Sequence, residues 1–292
     1  MPFGISCRIF GEGKARAMQR RQFVAPVGMT AITTQRFASA TSAASEDSPW
    51  QPDGVGSLAR IGVLTPDFDP VPESEMWAMA PHGVSIHGSR VTWKWNHDPR
   101  EFAEAPQLDI AIDQLVALKP RAIAYAFTSS SYALGAEAER AHRTRLEKRA
   151  GGISVILTCI ASTEALRLLG AQRIALIHPP WFSEDTNAKG KDYFRNQGFE
   201  VALCERMTPE RAFTEVPPDE VYRWVKANVP RNADAVFIGG NGFRAVGSIQ
   251  ALEENLRRPV LSANQVVLWA ALRSAGVSSK PSQYGRLFTQ SG

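Results

Sequence analysis

The chain has 292 residues, 44% hydrophobic and 21% charged, an ordinary composition for a globular fold with material for one large core or two smaller ones. No run of about 18 apolar residues occurs, so no membrane-spanning helix is expected. The formal charge of +4 belongs to the first 45 residues, where Arg8, Lys14, Arg16, Arg20, Arg21 and Arg36 face Glu12 alone: a net of +5, leaving −1 for the remainder and no expected nucleic-acid-binding face.

Within that basic segment, Arg20-Arg21-Gln22-Phe23-Val24 precedes a weakly apolar stretch and then Ala38-Ser39-Ala40 and Ser42-Ala43-Ala44, small residues that suit cleavage. The pattern is that of a twin-arginine export signal and predicts a periplasmic protein. A transit peptide or a plain tail on a cytoplasmic protein is the alternative. Residues 1–57 are therefore read as leader and linker.

The folded part opens with a strand over 59–64, stopped at Thr65-Pro66 because proline cannot continue a hydrogen-bonded ladder. A long loop over 67–83 follows. Its Asp67, Asp69, Glu73 and Glu75, with His82 and His87, match no metal-ligand spacing and read as solvated side chains. Residues 84–93 alternate as a strand does, and 106–118 carry Leu108, Ile112, Leu115 and Val116 at helical spacing.

A module then appears twice. Strand 122–127, a polar loop Thr128 to Ser131, a helix, strand 153–158 and a helix ending at Gly170 are matched by strand 235–239, the loop Gly240-Asn241-Gly242, a helix, strand 259–261 and a helix ending at Gly276. Between the copies lie strand 173–178, helix 184–197, strand 199–204 and helix 219–229. Strands separated by helical segments argue for parallel βαβ units. The predicted fold is α/β, with two pseudo-symmetric Rossmann-like lobes built on parallel sheets and a ligand cleft between them. The first lobe is placed at 58–157 plus 263–292 and the second at 158–262.

Such sheets bind ligands at the carboxyl ends of their strands. Thr128 and Ser129 are candidate carboxylate ligands there, and Gly240, Asn241 and Gly242 form a facing anion-binding turn. That turn also imitates a dinucleotide fingerprint, but Asn264 and Gln265 stand where the ribose-binding acid is required. Cys159, between a strand and a helix, is a candidate thiolate whose pKa a helix N-terminus would lower. His178, at a strand end, is a candidate acid or base. Cys7, Cys159 and Cys204 fit no metal motif, and their spacing does not decide whether the last two pair.

Several segments resemble arylmalonate decarboxylase: Thr128-Ser129-Ser130-Ser131-Tyr132, Gly239-Gly240-Asn241-Gly242, Ala165-Leu166-Arg167-Leu168-Leu169-Gly170 before Arg173, Arg258-Pro259-Val260-Leu261-Ser262, Trp269 with Arg273, and Tyr284-Gly285-Arg286-Leu287-Phe288. The resemblance covers 58–288 and extends to maleate isomerase and the aspartate/glutamate racemase superfamily. It implies catalysis without cofactor or metal, in which residues on two lobes flank a carbanion or enediolate held by backbone N–H groups and hydroxyls. It also implies that Thr65 and Pro66 line the cleft and that Trp181 replaces an active-site tyrosine. The two cysteine positions of the superfamily correspond to Phe127 and Gly240, so neither thiol is present.

The expected function is a decarboxylase or isomerase acting on a small carboxylate or malonate-type dicarboxylate. The alternative is a carboxylate-binding protein without catalysis. Residues 1–44 lack a periodic apolar face. A chain beginning at Ser45 is accordingly expected to keep a cooperative thermal melt, and loss of that transition would contradict the assignment of a leader.

Overall fold

The computed structural model describes residues 54–95, 97–208, 213–278 and 280–290; the segment whose sequence reads as an export leader lies outside the described residues. Strands β1 (Ala59–Pro66), β2 (Val84–Val91), β3 (Ala122–Tyr125) and β4 (Val155–Leu157) form one sheet in the order β2-β1-β3-β4. Strands β5 (Arg173–His178), β6 (Glu200–Arg206), β7 (Ala235–Ile238) and β8 (Val260–Ser262) form a second in the order β6-β5-β7-β8. All pairings are parallel, so the two sheets have one topology, with β1 matching β5 and β3 matching β7. The sheets are legible because strands covered on both faces need apolar side chains throughout: all four residues of β3 and of β7 are buried.

The connecting helices are α1 (Val71–Met79), α2 (Pro99–Glu104), α3 (Pro106–Ala117), α4 (Thr128–Leu134), α5 (Ala136–Arg149), α6 (Thr158–Leu168), α7 (Glu184–Asn196), α8 (Pro218–Asn228), α9 (Ile249–Leu256) and α10 (Ala263–Ser274). Proline begins α2, α3 and α8, where its missing N–H has no intrahelical partner to lose. A capping box closes the start of α10: the Gln265 amide donates to the Ser262 hydroxyl, and the Ser262 amide donates to Oε1 of Gln265 at 3.3 Å.

Two sequence expectations are corrected. Segment 67–83 is not a continuous loop, because Val71, Met76 and Met79 of α1 enter the core while Pro72 sits in its first turn. Thr128 to Ser131 form the first turn of α4, a helix too short to show a period.

The core is shared. Leu64, Ile123, Tyr125 and Leu157 pack with Phe102, Leu108, Ile112 and Leu146 on one side of the first sheet. Ile61, Val63 and Ala124 enter a second cluster that runs through α6 and α10 into the other sheet. Polar groups also join the halves. The buried Glu139 of α5 accepts a hydrogen bond from the Tyr193 hydroxyl of α7, and its second oxygen, Oε1, is buried with no hydrogen-bond partner.

Burial, opposed by the Tyr193 hydrogen bond and the nearby Ser131 hydroxyl, pushes the Glu139 carboxyl up to about 7. An unfolded glutamate ionises near ~4.3, so the folded chain holds this proton over a range in which the unfolded chain has released it. Its contribution is thus full below about pH 4 and is lost as pH rises through about 7. Glu139→Gln is expected to flatten the fall in stability between about pH 4 and 7 in chemical denaturation; an unchanged pH slope would contradict the raised ionisation of this buried carboxyl.

Candidate active site

In a sheet ordered 2-1-3-4 the connections leave strands 1 and 3 in opposite directions, opening a crevice at their carboxyl ends. Here two such crevices contribute to one cavity of ≈ 420 Å³: Pro66 ends β1 and Asp69 follows it, Phe127, Thr128 and Ser129 follow β3, Trp181 follows β5, and Gly240, Asn241 and Gly242 follow β7. The volume suits a small organic ligand.

The two pseudo-equivalent turns are bonded directly to each other. Oδ1 of Asn241 accepts hydrogen bonds from the Thr128 amide at 2.8 Å and the Thr128 hydroxyl at 2.6 Å. The Gly240 amide donates to that hydroxyl oxygen at 3.3 Å. Nδ2 of Asn241 donates to Oδ1 of Asn264 at 2.9 Å, and Nδ2 of Asn264 donates to Oε2 of Glu75 at 2.7 Å. Oε1 of Glu75 accepts from the Val246 amide at 3.1 Å. This chain of buried groups joins α1, α4, the turn after β7 and α10. Burial, against those hydrogen bonds, pushes Glu75 up to about 7.

Thr128 therefore lines the cavity with its donors already engaged, which corrects the expectation that it offers them to a carboxylate. Donors remain nearby. Among the described residues the Ser129 hydroxyl has no hydrogen-bond partner, and the amides of Asn241 and Gly242 have no acceptor.

The cavity walls are aromatic. Phe68 packs on Trp95 at 5.4 Å between centroids, Trp95 on Phe213 at 5.0 Å, and Phe213 on Trp181 at 5.3 Å. Trp93 packs on Phe127 at 5.0 Å. Lys189 brings a positive charge to the wall but is paired with Asp185 at 2.7 Å.

Asp69 was read as a solvated loop acid, and the structure corrects this. It is 3% exposed, held by the Val71 amide on Oδ1 at 3.0 Å, and burial pushes it up to about 7. The turn at Gly242, with Phe213 beside it, stands against Oδ2 of Asp69, a juxtaposition that no local pattern in the chain announces. Asp67 is exposed, and no cluster of three His, Cys, Asp or Glu able to hold a metal occurs among the described residues.

Of the other candidates, Pro66, Ser129, Trp181, Gly240 and Gly242 line the cavity with Thr128 and Asn241, whereas Thr65, Cys159 and His178 do not. Thr65 is fully buried on β1. Cys159 is fully buried, and burial raises its thiol pKa well above the usual value instead of lowering it. His178 is fully buried between the Tyr132 hydroxyl at 3.1 Å and Oδ1 of Asn187 at 2.7 Å, and burial lowers it to about 4, leaving a neutral ring. Cys159 and Cys204 are both free thiols, which answers the pairing question.

Of the two positions at which the resemblance places thiols, only Gly240 is sterically closed to one. Phe127 stacks on Phe102 at 4.4 Å. Gly240 has φ +94, and a Cβ there would lie 2.9 Å from Cγ of Pro179. That geometry admits glycine far better than cysteine.

Asn241→Ala is expected to lower stability by about 1–3 kcal/mol, because the Thr128 amide loses its acceptor in a buried position. It should also raise affinity for phenylacetate as the Thr128 donors become free. Unchanged values of both in denaturation and calorimetry would contradict the described network.

The family model for arylmalonate decarboxylase matches residues 107–288. No match was found among curated proteins. Among solved structures, a variant of maleate isomerase from Pseudomonas putida S16 with maleate has a TM-score of 0.72 at 21% identity, over 79% of this chain and 97% of that one. A variant of Nocardia farcinica maleate cis-trans isomerase with a covalently bound succinylcysteine intermediate has a TM-score of 0.71 at 23% identity, over 80% and 99%. Arylmalonate decarboxylase itself has 0.65 at 21% identity, over 80% and 100%. These likenesses match the two-sheet fold, and with a family match spanning more than half of its length the chain belongs to the arylmalonate decarboxylase family.

Proposed function

We propose that the protein is a cofactor-independent enzyme that decarboxylates or isomerises a small carboxylate, with a malonate-type acid bearing an apolar substituent as the preferred substrate class. The observation that carries this reading is the combination of uncommitted donors and aromatic wall in one cavity at the paired crevices. The Ser129 hydroxyl and the Asn241 and Gly242 amides supply hydrogen bonds to a carboxylate. Phe68, Trp95, Trp181 and Phe213 supply an apolar seat for the substituent. Loss of carbon dioxide, or rotation about a carbon–carbon bond, passes through an enediolate whose charge such donors stabilise when water is excluded.

A second reading, carboxylate binding without catalysis, has its own support. Asn241 already fills the Thr128 donors, and a Cβ at Gly240 would meet Pro179 at 2.9 Å. A panel of aryl- and alkylmalonates, maleate and aspartate separates the two readings when turnover and thermal shift are measured together. Turnover supports the enzyme; saturable shifts without turnover support the binder. Under either reading Ser129→Ala is expected to weaken carboxylate binding by about 1–3 kcal/mol in calorimetry, the usual cost of losing a donor to a charged group. Unchanged affinity would remove Ser129 from the site.

A further inference from the structure

We propose that the Asp69 carboxyl is the proton-transfer group of this cavity, delivering its proton to the α-carbon that decarboxylation leaves as an enediolate. The proposal rests on the decarboxylase reading above and assigns the one part it leaves open.

The geometry points to Asp69 on three grounds. First, it lies in the cavity wall immediately after β1, opposite the turn after β7. Second, its backbone is held on both sides: its amide donates to the Pro66 carbonyl at 3.1 Å, and Nη1 of Arg90 donates to its carbonyl at 2.8 Å. Third, its two carboxyl oxygens are unlike. Oδ1 accepts from the Val71 amide at 3.0 Å, whereas Oδ2 has no hydrogen-bond partner among the described residues. Oδ2 stands 3.0 Å from the point where a Cβ on Gly242 would sit, beside the Phe213 ring. Glycine at 242 thus leaves room for the carboxyl, and the free oxygen abuts the turn whose amides lack acceptors.

A general acid works best when its pKa is near the operating pH. Burial pushes Asp69 up to about 7, with Glu73 raising it further and the Val71 amide and Arg90 opposing. The other groups facing it are Glu75 behind it and His97, Asp98, Asp185 and Lys189 around the cavity.

The step balances. The bond from the α-carbon to one carboxylate of the malonate breaks, carbon dioxide leaves, and the electron pair stays on the α-carbon, delocalised into the remaining carboxylate. The Asp69 carboxyl gives its proton to that carbon, forming the C–H bond of the monoacid, and the Asp69 carboxylate regains a proton from water. One malonate dianion and one proton become one monocarboxylate and carbon dioxide.

The test uses the full chain with phenylmalonate as substrate and phenylacetate as product ligand. Asp69→Asn keeps an oxygen for the Val71 amide, so its thermal melt should match that of the wild type. Its kcat should fall by about 100-fold or more, while phenylacetate binds at least as tightly and the basic limb of the kcat–pH profile, near pH 7 in the wild type, disappears. Asp67→Asn, on the exposed neighbour, should leave kcat unchanged. A kcat for Asp69→Asn within about threefold of wild type, a persisting basic limb, or a parallel loss of phenylacetate affinity would each overturn the assignment while leaving the decarboxylase reading intact. A wild type that binds phenylacetate but decarboxylates no aryl- or alkylmalonate would overturn the decarboxylase reading and this assignment with it.

Discussion

The Asn241 side chain is the constraint on which the rest of the site depends. One carbonyl oxygen accepts both Thr128 donors, and one amide group donates to Asn264. A buried carboxamide is tolerable only when its donors and acceptor are met, since the same low dielectric that strengthens each bond makes an unmade one costly. The two turns can meet only because both sheets share the order 2-1-3-4, so that the segments after β3 and β7 come together. Topology brings the turns to one place, and the carboxamide then fixes their separation to hydrogen-bond length.

The network has an electrostatic consequence. Glu75 accepts from Asn264 and Val246, and the charge of Asp69 adds to its cost of ionising. Burial is the larger cause for both. Asp69 and the aromatic rings share one cavity wall, with Phe213 beside the Asp69 carboxyl, and a carboxyl buried there ionises less readily than one in water.

The sheets and the duplicated module were legible because buried parallel strands impose apolar runs such as Ala122 to Tyr125 and Ala235 to Ile238. The polar part of the site was legible only as position. Thr128, Ser129 and Gly240 to Gly242 stand in the cavity wall as their places after strands predict, yet nothing local reveals that Asn241 bonds to a residue 113 positions away. Prolines and acids hid α1, since Pro70, Pro72, Glu73 and Glu75 read as loop while Val71, Met76 and Met79 supply its buried side. Cys159 misled for the same reason in reverse: its place before a helix suggests an activated thiol, but its tertiary surroundings are dry and its pKa rises.

The conformation at Gly240 limits which side chains that turn can carry. At Phe127 the space is filled by an aromatic ring stacked on Phe102, and at Gly240 the backbone conformation and Pro179 leave no room for a Cβ. A thiol at Gly240 would require moving the chain as well as changing a side chain. The third and seventh strands, whose ends carry these two positions, therefore hold and orient the site. The loop after β1 is where this cavity keeps a buried carboxyl with a free oxygen. On the proposed assignment of Asp69, the proton would come from the part of the cavity wall beside Gly242.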